Sequence, residues 1–180
     1  MRDEKSALVN DQGDAVGATA WYVNAWLVSL LPLPGEHAKA LEAMVERPPL
    51  LGALVVFAAV PALCEEVLFR GVLARSLGRH LRVIAAAAAS GLIFALYHHS
   101  IVQTLPTFSL GVMLGVVAIR ADSIAPTFVA HALNNGIVVL LSRGMFPSLA
   151  AWLTTHPIAG LAGCAAATTA GLIVTARGDA

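Results

Sequence analysis

Apolar positions along this chain fall in long blocks, separated by short polar or proline-bearing stretches. A helix that crosses a bilayer needs roughly 20 mostly apolar residues. Six blocks fit that requirement: residues 16–33, 50–69, 81–97, 105–119, 124–141 and 157–175. The first stops at Pro32, Pro34 and Gly35, and the second starts after Pro48 and Pro49. Residues 146–155 are too few to span and predict a helix lying in the interface. Residues 35–47 form a polar, amphipathic connector carrying Glu36, His37, Lys39, Glu42, Glu46 and Arg47. Alanine runs at 85–89 and 165–167 offer small surfaces on which helices can approach closely. The pattern predicts an all-α fold, a polytopic transmembrane helical bundle of about six helices.

Composition supports that reading. Of 180 residues, 58% are hydrophobic and only 12% charged, with a mean hydropathy of +0.77. A soluble domain averages about 25% charged residues, so lipid is the expected solvent for most of this surface. The formal net charge is zero, which leaves no basic footprint for nucleic acid. Cys64 and Cys164 have no metal-type or pairing spacing and read as packing residues. The charged lead (Arg2, Asp3, Glu4, Lys5, Asp11, Asp14) shows no cleavage site, so the first apolar block is expected to persist as a helix. Arg75, Arg79 and Arg82 make the most basic turn and are assigned to the cytoplasm. An even number of spans then puts both termini there, with the uncharged turn at 100–104 outside.

Ionisable residues inside apolar spans are functional candidates by default, because charge in hydrocarbon is costly. Three clusters qualify. In Glu65-Glu66-Val67-Leu68-Phe69-Arg70, Glu66 and Arg70 are four apart and can pair on one helix face. Glu65 lies about 100° away around the helix. Two adjacent carboxylates in low dielectric cannot both ionise cheaply, which suits general acid–base work; an interfacial salt bridge is the plainer reading. The second cluster ends in His98 and His99, of which His99 reads as a satisfied interfacial residue. In the third, His131 and Asn135 share a helix face, either as a catalytic pair or as a pair of interhelical hydrogen-bonding groups.

Depth ties the clusters together. With the second helix running to about residue 77 and a turn near Arg79–His80, Glu65 and His98 lie roughly 22 and 27 Å from that turn. His131 and Asn135 lie only about 10 and 16 Å from their own helix start, one or two turns shallow. Tilt, or a kink at Pro61, would close the gap. Pro61 leaves the Phe57 carbonyl without its usual donor.

The order Glu65-Glu66-x-x-x-Arg70, Phe94-x-x-x-His98, His131-x-x-x-Asn135 on successive membrane helices resembles the CAAX protease and bacteriocin-processing (CPBP, or Abi) family, which includes the type II CAAX prenyl endopeptidase. The resemblance covers residues 50–141. It implies an intramembrane endopeptidase that hydrolyses a peptide bond with an activated water. By resemblance, Glu65 is the base, assisted by His98; His131 and Asn135 stabilise the oxyanion; Glu66 and Arg70 support the first motif. No cofactor or metal is favoured, and no His-Glu-x-x-His helix is present. Were Zn²⁺ bound, Glu65, His98 and His131 would be its ligands. The implied partner is a peptide or protein substrate, membrane-anchored or prenylated, with fusion to or association with a transporter as a further expectation. The family assignment places the chain in a prokaryotic cell membrane. It divides the chain into a lead, first helix and connector (1–49), a protease core (50–142), and an interfacial segment with a last helix (143–180). A non-catalytic scaffold or immunity protein of the same fold, and a proton-coupled transporter, are the rival functions.

Overall fold

The computed structural model describes residues 2–31 and 43–177 and is built from helices, with no strand among the described residues. They are α1 (Arg2–Ser29), α2 (Leu50–Gly78), α3 (Val83–Tyr97), α4 (Ile101–Ala121), α5 (Ala125–Ser142), α6 (Pro147–Thr155) and α7 (Pro157–Arg177). Most of the polar connector, with the predicted stop at Pro32–Gly35, lies outside the described residues.

Four of the helices are long and apolar enough to cross a membrane: α2, α5, and α4 and α7 over Gln103–Ala121 and Pro157–Thr175. Two of the six expected spans fall short of that description. The 15 residues of α3 rise about 22 Å, less than a hydrocarbon core of about 30 Å. The other is α1, which does not begin at residue 16 but reaches back through the charged lead to Arg2. Large apolar side chains face outward along α2 and α3, among them Leu51, Val56, Leu63, Val67, Ile84 and Leu92, as a lipid-facing surface requires. The nine-residue helix α6 is short, as predicted, and exposes Leu149 and Trp152.

Small residues set the helix crossings. A Cβ added at Gly91 of α3 would sit 2.9 Å from the Val112 nitrogen of α4, and one at Gly115 would sit 3.0 Å from Ala87. The alanine run at 85–89 thus lets α3 and α4 meet backbone to backbone, with Ala86 and Ala87 fully buried. Gly17 of α1 makes a similar contact with α5, where an added Cβ would fall 2.3 Å from the Ala130 carbonyl oxygen. Thr19 and Thr168 share a hydrogen bond of 2.7 Å, which locks α1 against α7. Successive long helices run in alternating directions from α2 onward; α1 runs parallel to α5 and antiparallel to α7. Both ends of the described chain therefore lie at the same end of the bundle as the basic 79–82 turn.

The long helix α2 is not uniform. Val55–Ala59 and Glu66–Ala74 are π-helical, on either side of an α-helical segment, Val60–Glu65, that contains Pro61. The proline accounts for the first of these. It offers no N–H to the preceding turn, and the Val60 N–H bonds instead to the Val55 carbonyl, five residues back. Such wide turns concentrate at functional sites, and the second begins at Glu66. Its buried face is Glu66, Phe69, Arg70 and Ala74.

Candidate active site

Glu66 and Arg70 are fully buried, at 0% exposure for both side chains. Arg70 Nη1 lies 2.9 Å from Glu66 Oε1, an ion pair one turn apart, as the spacing predicts. Its angle falls outside hydrogen-bond geometry, and the guanidinium nitrogens find no hydrogen bond among the described residues. The Arg70 guanidinium instead lies over the Phe94 ring, 4.4 Å from its centroid, where the ring face attracts a cation. Phe94 also meets Phe69, His98 and His131 edge-on. Ser90 Oγ donates to the Phe69 carbonyl at 3.0 Å, fastening α3 to the π-helical stretch.

His131 joins the two carboxylates. Its Nδ1 donates to Glu66 Oε1 at 2.8 Å, and its Nε2 lies 3.6 Å from Glu65 Oε2. The ring is 3% exposed, whereas Glu65 is 20% exposed and faces a cavity. One carboxylate is thus buried against Arg70 and His131, and its neighbour is open to solvent or ligand. His98 ends α3, with its Nδ1 donating to the Phe94 carbonyl at 2.9 Å. That bond leaves Nε2 as the free acceptor of a neutral ring.

The expected shortfall in depth of His131 is absent: its ring reaches both Glu65 and Glu66. The turn before α5 does not sit level with the 79–82 turn. Ile124 packs beside Gly71, where an added Cβ would be 3.5 Å from Ile124 Cγ2, and Asp122 accepts an ion-paired hydrogen bond from Arg75. That docking starts α5 one to two turns further along α2 and lifts His131 level with Glu65 and Glu66.

The cavity holds about 330 Å³ and draws its walls from α1 to α5 and from Val45. Glu65, His98, His131 and Asn135 all line it. It occupies the half of the bundle away from the basic turn, since its α2 walls are Phe57, Pro61 and Glu65 and its α4 walls begin at Gln103. Arg143 closes the same end, its Nη2 donating to the Val45 carbonyl at 2.6 Å and to the Glu46 and Pro48 carbonyls. His99 is exposed, does not line the cavity, and holds a left-handed φ of 49°. Among the described residues no three His, Cys, Asp or Glu side chains converge as a metal-binding group, so Glu65, His98 and His131 do not fit a zinc site as they stand.

Two lining residues escape the sequence reading. Asn134 is buried beside Asn135 and donates from Nδ2 to Asn135 Oδ1 at 3.1 Å. The bond orients the Asn135 carboxamide and leaves its Nδ2 available as a donor. Asn24 reaches the cavity from α1. Both were visible as amides inside apolar blocks, a signal of the same kind as the ionisable residues but weaker.

No curated protein and no solved structure matches the chain. A family model described as type II CAAX prenyl endopeptidase Rce1-like matches residues 47–137, just over half of the sequence. The matched stretch contains Glu65, Glu66, Arg70, His98, His131 and Asn135. With its long apolar helices and this match, the chain is an integral membrane protein that belongs to the type II CAAX prenyl endopeptidase Rce1-like family.

Proposed function

We propose that this protein is an intramembrane endopeptidase in which Glu65 activates a water for attack on a peptide bond. The observation that carries the reading is the division of labour between adjacent carboxylates: Glu66 is buried against Arg70 and His131, while Glu65 faces a cavity shared with His98, His131 and Asn135. Glu65 takes a proton from water, and the resulting hydroxide adds to the scissile carbonyl carbon. The carbonyl oxygen becomes an oxyanion, stabilised by His131 Nε2 and Asn135 Nδ2. Collapse breaks the C–N bond, and the leaving amine takes the proton held by Glu65, leaving a carboxylic acid and an amine; the acid then gives up its proton to the amine or to solvent. His98 Nε2 accepts a hydrogen bond from the water and orients it.

Charge counting supports the same scheme. Glu65, Glu66, Arg70 and His131 sum to −1 with both carboxylates ionised and the imidazole neutral, so one further proton, placed on His131, brings the set to zero. An imidazole whose Nδ1–H is held by Glu66 donates from Nε2 only when protonated. The proton Glu65 gains from water can therefore be matched by one on His131, with Glu66 offsetting its charge.

The substrate we infer is a membrane-anchored or prenylated peptide. With the basic turn and both termini cytoplasmic, its scissile bond lies in the half of the membrane away from the cytoplasm. The deciding experiment compares the chain with its Glu65→Gln variant, both purified in detergent, on a farnesylated peptide ending in a CAAX sequence. Terminal peptide mapping of membrane and secreted proteins from cells carrying each form accompanies it. Cleavage by the native chain alone is expected. Equal cleavage by the variant defeats the mechanism, and a chain that carries protons or ions across liposomes without hydrolysing peptide is a transporter.

A further inference from the structure

Two carboxamides that line the cavity each bury an oxygen with nothing to bond. Asn24 and Asn134 are each 7% exposed, and the Oδ1 of each is buried without a hydrogen-bond partner among the described residues. Both side chains line the cavity that holds Glu65. A buried acceptor with no donor is costly, and the few that occur in folded chains call for an explanation outside ordinary packing. Packing gives none here.

The chemistry of these groups limits what they can recognise. Asn134 spends its Nδ2 on Asn135, so what it offers the cavity is an acceptor. Asn24 brings a second carboxamide to the cavity from α1, an element outside the stretch matched to the family. Carboxamide oxygens on two helices accept from N–H and O–H donors and repel a carboxylate. An extended peptide carries such donors along its main chain, spaced along the strand whatever its side chains.

We propose that Asn24 and Asn134 are substrate-positioning residues, whose carboxamide oxygens accept hydrogen bonds from main-chain N–H groups of a peptide lying extended beside Glu65. The proposal rests on the peptidase reading. It adds that recognition in this part of the cavity reads backbone rather than sequence, and that proline is rejected at the contacted positions for want of an N–H.

The test is a binding measurement on the full chain carrying Glu65→Gln, in detergent, with a fluorescent farnesylated CAAX peptide as probe. Each peptide N–H is replaced in turn by an ester oxygen. At one or two positions the ester weakens binding about 3- to 10-fold, the range for one lost hydrogen bond. Asn24→Ala or Asn134→Ala, added to the same background, weakens the parent peptide by a similar factor and makes the matching ester harmless. With Glu65 intact, Asn24→Ala raises KM by that factor and leaves kcat within about twofold. The proposal is overturned if no ester weakens binding, if ester effects are the same with and without the asparagines, or if the probe does not bind. The ester series on unaltered asparagines needs no variant to fold. Asparagine-dependent binding without any cleavage by the native chain defeats the peptidase reading while leaving the positioning role intact.

Discussion

His131 Nδ1 donates to Glu66 Oε1 at 2.8 Å, while the other nitrogen of the same ring lies 3.6 Å from Glu65. Adjacent residues of α2 therefore reach the two nitrogens of one imidazole from different environments. The buried pairing orients the ring, and the exposed one meets the cavity. This asymmetry predicts that the two glutamates respond oppositely to the same isosteric change.

Glu66→Gln removes a charge that faces buried Arg70 and leaves the guanidinium without compensation. Breaking a buried ion pair from one side costs about 3–5 kcal/mol. Glu65→Gln alters a partly exposed group in the cavity and is expected to cost under about 1 kcal/mol. Its effect falls on turnover, by roughly 10²- to 10⁴-fold for a lost general base. Unfolding in detergent, with peptide hydrolysis measured on each variant, separates them. A Glu66→Gln chain as stable as the native one contradicts the buried pairing.

The same pair predicts a rescue. Arg70→Met alone strands Glu66, but Glu66→Gln with Arg70→Met leaves neither charge buried and keeps a flexible apolar side chain against Phe94. The double variant is expected to recover most of the stability lost by either single change. It is not expected to recover turnover, because His131 loses the carboxylate that fixes its proton. Recovery of both in a double-mutant cycle would falsify the role given to Glu66.

The clusters were legible because Glu65, Glu66, His131 and Asn135 sit inside apolar blocks and His98 directly follows the end of one. Pairing of Glu66 with Arg70 follows from their spacing alone. The depth of His131 did not, because counting rise along a helix assumes that neighbouring turns sit level. Here the close approach of Ile124 to Gly71 sets that level, and nothing in either residue's neighbours announces it. Pro61 revealed a missing donor but not the π-helical turn that absorbs it. Asn24 was passed over because polar but neutral side chains are common in membrane helices; only its place in the cavity wall and its unpaired buried oxygen distinguish it.

The arrangement of Glu65, His98 and His131 bears on metal dependence. They do not converge as a three-ligand set, and His131 Nδ1 is engaged by Glu66. Peptide hydrolysis is expected to survive 1,10-phenanthroline with less than about twofold loss, where a zinc enzyme is silenced by removal of its ion. Elemental analysis of protein purified without chelator is the companion measurement. One zinc per chain, with activity lost on chelation and restored by zinc, assigns the chemistry to the metal instead.

Gly17 lies where α1 crosses α5 against Ala130, the neighbour of His131: a Cβ there would fall 2.3 Å from the Ala130 carbonyl oxygen and 2.4 Å from its Cα. Backbone atoms cannot move aside as a side-chain end can, so Gly17→Ala must push the helices apart. Overpacking of this kind costs typically about 1–3 kcal/mol. The displacement also acts on Ala130, the neighbour of His131, and on the wall that carries Asn24. Gly17→Ala is therefore expected to lower both the unfolding midpoint and kcat/KM, the latter by tenfold or more, since about 1 Å of misplacement can cost about 10²-fold. Gly163 of α7 is the control, with nothing within 4 Å of an added Cβ. Gly163→Ala should leave both quantities unchanged, or raise stability slightly by removing a helical glycine. Equal behaviour of the two variants means that the crossing of α1 over α5 does not hold the site, and that α1 is dispensable to its geometry.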